Sequence, residues 1–383
     1  MSRPKPVIRV EEAGLGAEGH VRLVVSGDLD LARLRSVWSS SGATLQQVGE
    51  RLHATTTVQA LARAAGRAFG AEEGHRLEQV LLDTIEAWLA PPPRIPAAAA
   101  VLATDVRPLV MGIVNVTPDS FAEADPLYPH GHPDAAVGHG LALLAQGADI
   151  LDVGGESTRP GADPVDEAEE LRRIQPVVKE LVDGGATISI DTTKAGVAAA
   201  ALEAGAAIVN DVSGAAHDDL LSVTADAGAG YVLMHTRGTP QTMSGLAEYG
   251  DVVADVYEFL ARGIERCVDA GIALDRIIVD PGVGFAKTPE HNLLLLQGLR
   301  QLRGLGRPVL VGASRKSFLG ALLDGAPADD RLEASLACVA VAVSQGVAIV
   351  RVHDVAASVR AARVARAIAT ASMDWPFLET APE

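Results

Sequence analysis

Polar and ionisable residues sit at eight points of this sequence where a short β-branched run gives out. They are Asn115, Asp152, Asp191, Asn210 with Asp211, His235, Asp280, Ser314 with Arg315, and Arg351 with His353. They sort by chemistry. Asp191, Asn210 and Asp280 offer carboxylate and amide groups that suit the amino and ring N–H donors of a planar heterocycle. Each aspartate also has a plainer use: Asp191 precedes a helical stretch and could cap it. Arg159, Lys316, Arg351 and His353 form a cationic set, which together with helix N-termini suits phosphate or pyrophosphate. The competing use of Arg351 and His353 is salt bridging to Asp354 or other strand-end acids. Asn115, in NVTPDSF, is a neutral oxygen ligand of the kind Mg²⁺ accepts when substrate phosphates and water complete its shell. His130, His132 and His139 have no Cys partner and no tetrahedral spacing, so they read as loop residues rather than zinc ligands.

The elements that must position these groups follow from the pattern. β-branched runs begin at residues 109, 148, 187, 207, 230, 276, 308 and 347, and most intervals leave room for a crossover helix. Near-continuous apolar runs fit strands buried on both faces. Eight strands alternating with Ala/Leu-rich helices predict an α/β fold, a (β/α)₈ TIM barrel over 108–370, with an open doubly wound sheet as the alternative. In such barrels the site lies at the C-terminal ends of the strands, where the polar set falls.

Residues 1–95 predict a small α-rich accessory domain without readable chemistry. It has a strand at 21–25, a helix at 28–38, and an amphipathic helix from Glu72 placing Leu77, Val80, Leu81, Ile85 and Leu89 on one face. His53 and His75 stand alone. The cluster Pro91-Pro92-Pro93-Arg94-Ile95-Pro96 and four alanines predict a semi-rigid linker over 96–107; residues 371–383 read as a tail.

The formal net charge is −17. Residues 1–95 carry 11 Lys and Arg against 11 Asp and Glu, so the whole acidic surplus belongs to the rest. That surplus disfavours nucleic acid and anionic lipid as partners. With 48% hydrophobic but only 3% aromatic residues, the core must be built from Ala, Val, Leu and Ile. No run is long and apolar enough to span a membrane. The start lacks a signal-peptide core, and the two cysteines, Cys267 and Cys338, fit a reducing compartment; the expected location is the cytoplasm.

The motifs resemble those of the dihydropteroate synthases. The stretch from Met111 to Phe121, MGIVNVTPDSF, is similar to the family's first signature, and DVGGESTRPG from Asp152 to its second. DTT at 191–193, NDVSG at 210–214, MHTRGTPQTM at 234–243, DPGVGF at 280–285, SRK at 314–316 and RVHD at 351–354 follow in the family's order. The resemblance implies transfer of the pterin-methyl group of 6-hydroxymethyl-7,8-dihydropterin diphosphate to 4-aminobenzoate, with release of pyrophosphate. It implies Asp191, Asn210, Asp280 and Lys316 as the pterin pocket and Met234 as a residue lining it under the ring. Arg351 and His353 would form the diphosphate site, with Asn115 on Mg²⁺. Thr158, Arg159 and Pro160 would be a mobile loop that frames aminobenzoate with Phe285 and Ser317. Asp191, Lys316, Arg351 and His353 would carry catalysis, and a homodimer is implied. After Phe121 the chain departs from the family, and Pro126, Pro129 and Pro133 would stiffen a loop that serves as a lid. Two other readings are a pterin-dependent methyltransferase domain, which would not combine STRP, SRK and RVHD, and a non-catalytic pterin-binding paralogue.

Overall fold

Alternating apolar residues build the N-terminal part of the molecule around a sheet. In the computed structural model the described residues are 7–13, 20–26, 31–39, 43–49, 51–57, 60, 70–98, 100–117, 133–159 and 161–371. Strands β1 (Val7–Ala13), β2 (His20–Ser26), β3 (Thr44–Val48) and β4 (Arg51–Thr57) pair antiparallel in the order β1-β2-β4-β3. Helices α1 (Leu31–Ser39) and α2 (Gly70–Leu89) accompany them. Ile8, Val10, Leu23, Val25, Leu52 and Ala54 form a core with Leu34, Trp38, Leu77, Leu81, Ile85 and Trp88. Helices are present as the sequence indicated. The sheet goes beyond it, since only the strand at 21–25 was visible there.

The stretch expected to be a linker pairs instead as a hairpin, β5 (Ile95–Ala97) with β6 (Ala100–Leu102), in which Ile95 faces Leu102. Proline is tolerated because each of these strands has only one partner. The physical reason is burial: Ile95, Ala97 and Leu102 close the lower end of the barrel, packed with Leu109, Met111, Ile150, Ile208, Val232, Ile278, Leu310 and Ile349.

The eight β-branched runs become β7 (Leu109–Asn115), β8 (Ile150–Gly154), β9 (Ile188–Asp191), β10 (Ile208–Asp211), β11 (Gly230–Met234), β12 (Ile277–Asp280), β13 (Leu310–Val311) and β14 (Ile349–Val352). All pairings among them are parallel, in the order β12-β11-β10-β9-β8-β7-β14-β13. The ends meet: the Val279 amide donates to the Pro308 carbonyl at 3.0 Å, and Val279 bridges Val309 in parallel. The sheet is therefore a barrel and not an open doubly wound layer.

Helices α3 (Pro133–Ala145), α4 (Glu167–Asp183), α5 (Ala195–Glu203), α6 (Asp218–Asp226), α7 (Val252–Asp269), α8 (Pro289–Gly298), α9 (Ser317–Leu322), α10 (Leu332–Ser344) and α11 (Val355–Thr370) surround it. Side chains two apart on a strand share a face. Hence Ile150, Ile208, Ile278 and Ile349 of the lower core give way, two residues higher, to Asp152, Asn210, Asp280 and Arg351. The interior changes from hydrocarbon to polar within one step of the pleat. Residues 118–132, with the prolines 126 and 129 of the expected stiff lid and His130 and His132, lie outside the described residues, as do Pro160 and 372–383.

Candidate active site

Arg351 is the hub of the polar layer. Its Nε donates to Asp152 Oδ2 at 2.6 Å and its Nη2 to Asp191 Oδ2 at 2.9 Å. Asn210 Nδ2 donates to the same Asp152 oxygen at 3.0 Å. Strands β8 and β9 thus deliver acceptors to one guanidinium from β14, and β10 adds a donor to the acceptor from β8. The Oδ1 atoms of Asp152 and Asp191 are buried and have no protein donor. Buried acceptors left open in this way are suited to N–H donors brought by a ligand. Burial, and next the charge of Asp152, pushes the Asp191 carboxyl above its ordinary range, with Arg351 opposing. Burial works against the Arg351 charge, and Asp152 and Asp191 outweigh it. Two carboxylates sharing one buried guanidinium do not both ionise freely.

Asp280 closes β12, paired across from Met234 at the end of β11. Its Oδ1 accepts from the Gly282 amide at 2.7 Å, while burial pushes its carboxyl up. Gly282 has φ +66°, and a Cβ there would lie 2.0 Å from the His235 carbonyl oxygen, so the turn admits only glycine. Lys316, just before α9, reaches back to the Val283 carbonyl and sits 4.4 Å from the centre of the Phe285 ring. Burial lowers its ammonium to about 8, with Asp280 holding it up. Met234 is buried, its side chain next to Gly282.

The cationic set is smaller than the sequence suggested. Burial, and then Arg351 and Arg315, lowers His353 to about 3, so its ring is neutral in the free protein. Its Nδ1 lies 3.1 Å from Ser314 Oγ, which also accepts from the His353 amide at 3.2 Å. The anticipated competition for Asp354 falls to Arg315, which grips it through Nε at 3.0 Å and Nη2 at 2.5 Å. Arg351 does bridge strand-end acids, but these are Asp152 and Asp191.

Thr158 and Arg159 lie in the loop after β8, half-buried and exposed respectively. Arg159 is near enough for its charge to act on His353. The loop is tied to the one after β11: the Gly161 amide donates to the Pro240 carbonyl at 2.9 Å and Gln241 Nε2 to the Ala162 carbonyl at 2.6 Å. Phe285 is half-buried and Ser317 is exposed in the first turn of α9. Asn115 ends β7, half-buried. Among the described residues no group of three or more His, Cys, Asp and Glu could hold a metal ion. A single neutral amide therefore fits Mg²⁺ only if a phosphate-bearing ligand and water supply the remaining oxygens.

Three residues carry more than their sequence context indicated. Asp152 belongs to the pocket; it was visible as a strand-end acid, but its link to Arg351 crosses 199 positions. Lys287 contacts His235 Nδ1 and the Phe285 carbonyl, both at 2.9 Å, and burial lowers its ammonium well below the ordinary lysine range. Asp211 proves structural: it accepts from Tyr231 Oη at 2.5 Å and from the amides of Ser213 and Ala215 at 2.7 and 2.9 Å.

A closed parallel barrel with buried carboxylates beside Arg351 and Lys316 at its strand ends defines an enzyme for a planar heterocycle carrying an anionic group. A family model for pterin binding enzymes matches residues 111–353. The dihydropteroate synthase of Mycobacterium leprae is 50% identical over 262 residues, 67% of this chain and 91% of that protein. That of Escherichia coli K12 is 43% identical over 266 residues, 69% of this chain and 93% of that protein. The solved Xanthomonas albilineans dihydropteroate synthase with 4-aminobenzoic acid superposes with a TM-score of 0.68 at 44% identity, covering 73% of this chain and all of that one. The chain belongs to the dihydropteroate synthase family of pterin binding enzymes.

Proposed function

We propose that the mouth of this barrel condenses 6-hydroxymethyl-7,8-dihydropterin diphosphate with 4-aminobenzoate to give 7,8-dihydropteroate and pyrophosphate, a step of folate synthesis, with residues 108–370 as the catalytic unit. The observation that carries the reading is the Arg351 hub with its two open carboxylate oxygens, beside Asp280 and Lys316. A pterin presents amino and ring N–H donors to Asp152, Asp191, Asn210 and Asp280. Lys316 can donate to a ring oxygen or nitrogen, and Met234 lies beneath.

Breaking the methylene–oxygen bond sends the electron pair to pyrophosphate and leaves positive charge spread into the pterin ring. Asp191 and Asp280 stabilise that charge in a setting of low dielectric. Arg351 and the neutral His353 face the leaving group, whose charge would draw a proton onto His353. The aminobenzoate nitrogen then bonds to the methylene carbon and releases one proton to water or pyrophosphate. Thr158, Arg159 and Pro160, with Phe285 and Ser317, would frame that amine and exclude water. Asn115 would hold Mg²⁺, which when bound neutralises phosphate charge.

The family likeness also supports a homodimer, and Val341, Val364 and Ile368 give α10 and α11 exposed apolar side chains for it. Among the described residues no helix is long and apolar enough to cross a membrane, and the free thiols Cys267 and Cys338 support a cytoplasmic setting. The test is pyrophosphate release that depends on both substrates. Tight pterin binding with no release would make the protein a binding paralogue instead.

A further inference from the structure

The N-terminal part meets the barrel at the turn Leu299–Leu305 and along helix α7, and of these α7 also holds a loop of the site. Arg9 of β1, only 4% exposed, reaches Asp251 Oδ2 at 3.3 Å and Gln301 Oε1 at 2.6 Å. Asp251 is the N-cap of α7 and accepts from the Val253 and Ala254 amides through its other oxygen. Tyr257 Oη donates to the Ile8 carbonyl at 2.8 Å. One turn along α7, Arg51 of β4 donates to Asp255 Oδ1 at 2.5 Å and to Glu258 Oε1 at 3.1 Å, where Ser26 Oγ also donates at 2.7 Å. The start of α7 lies at the upper end of the barrel, because α7 follows the loop that leaves the top of β11.

The second oxygen of Asp255 lies 3.5 Å from Arg237 Nη2. Arg237 roots the loop after β11: it also donates to the Glu248 carbonyl and stacks 3.9 Å over the centre of the Tyr249 ring. From this loop two arms reach the site. One is the pair of hydrogen bonds from Gly161 and Gln241 that ties the Thr158–Arg159 loop to residues 240 and 241. The other is Tyr249 Oη, which donates at 2.9 Å to the carbonyl of Ala286, the neighbour of Phe285. Both arms end on the side proposed above for aminobenzoate; neither touches Asp191, Asn210 or Arg351.

We propose that the N-terminal domain positions the aminobenzoate side of the site, acting through Asp255, which Arg51 of the domain and Arg237 of the β11 loop share. Arg51 and Arg237 are positioning residues. By occupying one oxygen of Asp255, Arg51 fixes the carboxylate so that its other oxygen meets Arg237, and the loop is held at its root. The proposal rests on the synthase reading for its kinetic arm and on the contacts alone for its structural arm.

The experiment uses the full chain and the variants Arg51→Ala, Arg51→Lys and Gln46→Ala, the last an exposed control on β3. Arg51→Ala is expected to raise KM for 4-aminobenzoate about five- to tenfold, the range of substitutions along a coupled network. KM for the pterin diphosphate should change less than about twofold. Arg51→Lys should recover part of the loss and Gln46→Ala should match wild type. In parallel, amide hydrogen exchange at 238–243 and 161–162 should quicken in Arg51→Ala while that of β8 to β10 does not. A folded Arg51→Ala variant with wild-type KM for both substrates and unchanged exchange overturns the proposal; so does an equal loss for both substrates, which would mean general destabilisation. If wild type releases no pyrophosphate, the synthase reading falls while the exchange measurement still decides the coupling.

Discussion

Replacing Asp191 by asparagine keeps the outline of the side chain and removes its charge. In the free protein this carboxylate accepts from Arg351 Nη2 at 2.9 Å and lies buried beside Asp152. During reaction its charge faces the cationic pterin. Losing a charge aimed at a developing ion costs about 2–4 kcal/mol of transition-state stabilisation. At about 1.4 kcal/mol per factor of ten, kcat/KM should fall roughly 30- to 1,000-fold. Stability should move the other way or not at all. Burial and Asp152 both oppose the Asp191 charge, and Arg351 keeps its 2.6 Å bond to Asp152, so the neutral amide relieves a crowded pair. The assay is steady-state pyrophosphate release alongside thermal unfolding of the same preparations. Turnover within threefold of wild type would refute the role given to Asp191. A matching loss of activity accompanied by a Tm drop of several degrees would also refute it, since the carboxylate would then serve the fold.

Arg351→Met should reverse that pattern by leaving two buried carboxylates without their cation, a cost of about 3–5 kcal/mol seen as a lower Tm. The pH profile of kcat/KM for pterin diphosphate should rise as Asp191 ionises and fall as Lys316 loses its proton near 8; Lys316→Arg should remove the falling limb. The same lysine has the opposite effect on stability. Its folded value lies below the unfolded one, so between about 8 and 10.5 the unfolded chain binds more protons and Lys316 favours folding more as pH rises. Ile95→Ala, at the foot of the barrel, should cost about 2–4 kcal/mol by denaturant unfolding yet leave both KM values near wild type, because the site is at the other end.

Much of the fold could be read from the chain because parallel strands buried on both faces are written as uninterrupted Val, Ile and Leu. Closure could not, since Val279 meets Val309 only through the barrel's geometry. The hairpin at 95–102 escaped for a different reason: three-residue strands show no period, and proline and alanine imitate a linker until Ile95 and Leu102 find the same core. The N-terminal sheet was hidden by strands such as β3, whose TLQQV is mostly exposed and carries little apolar signal. In the site, residue types were legible and their states were not. His353 looked like a cation, but burial, Arg351 on the strand that leads into it and Arg315 from the loop after β13 make it neutral, and neither the burial nor the approach of Arg315 is local in sequence. Asp152 read as one strand-end acid among several because nothing local ties it to Arg351. Lys287 follows Phe285 by two positions in DPGVGFAK, a spacing that alone does not say that its ammonium returns to the Phe285 carbonyl.

The most direct measurement counts products. With the protein saturated in pterin diphosphate and Mg²⁺, limiting 4-aminobenzoate should yield one 7,8-dihydropteroate and one pyrophosphate for each molecule consumed, and Asp191→Asn should slow both equally. Pterin diphosphate held firmly by the wild-type protein, with neither product appearing, would contradict the account.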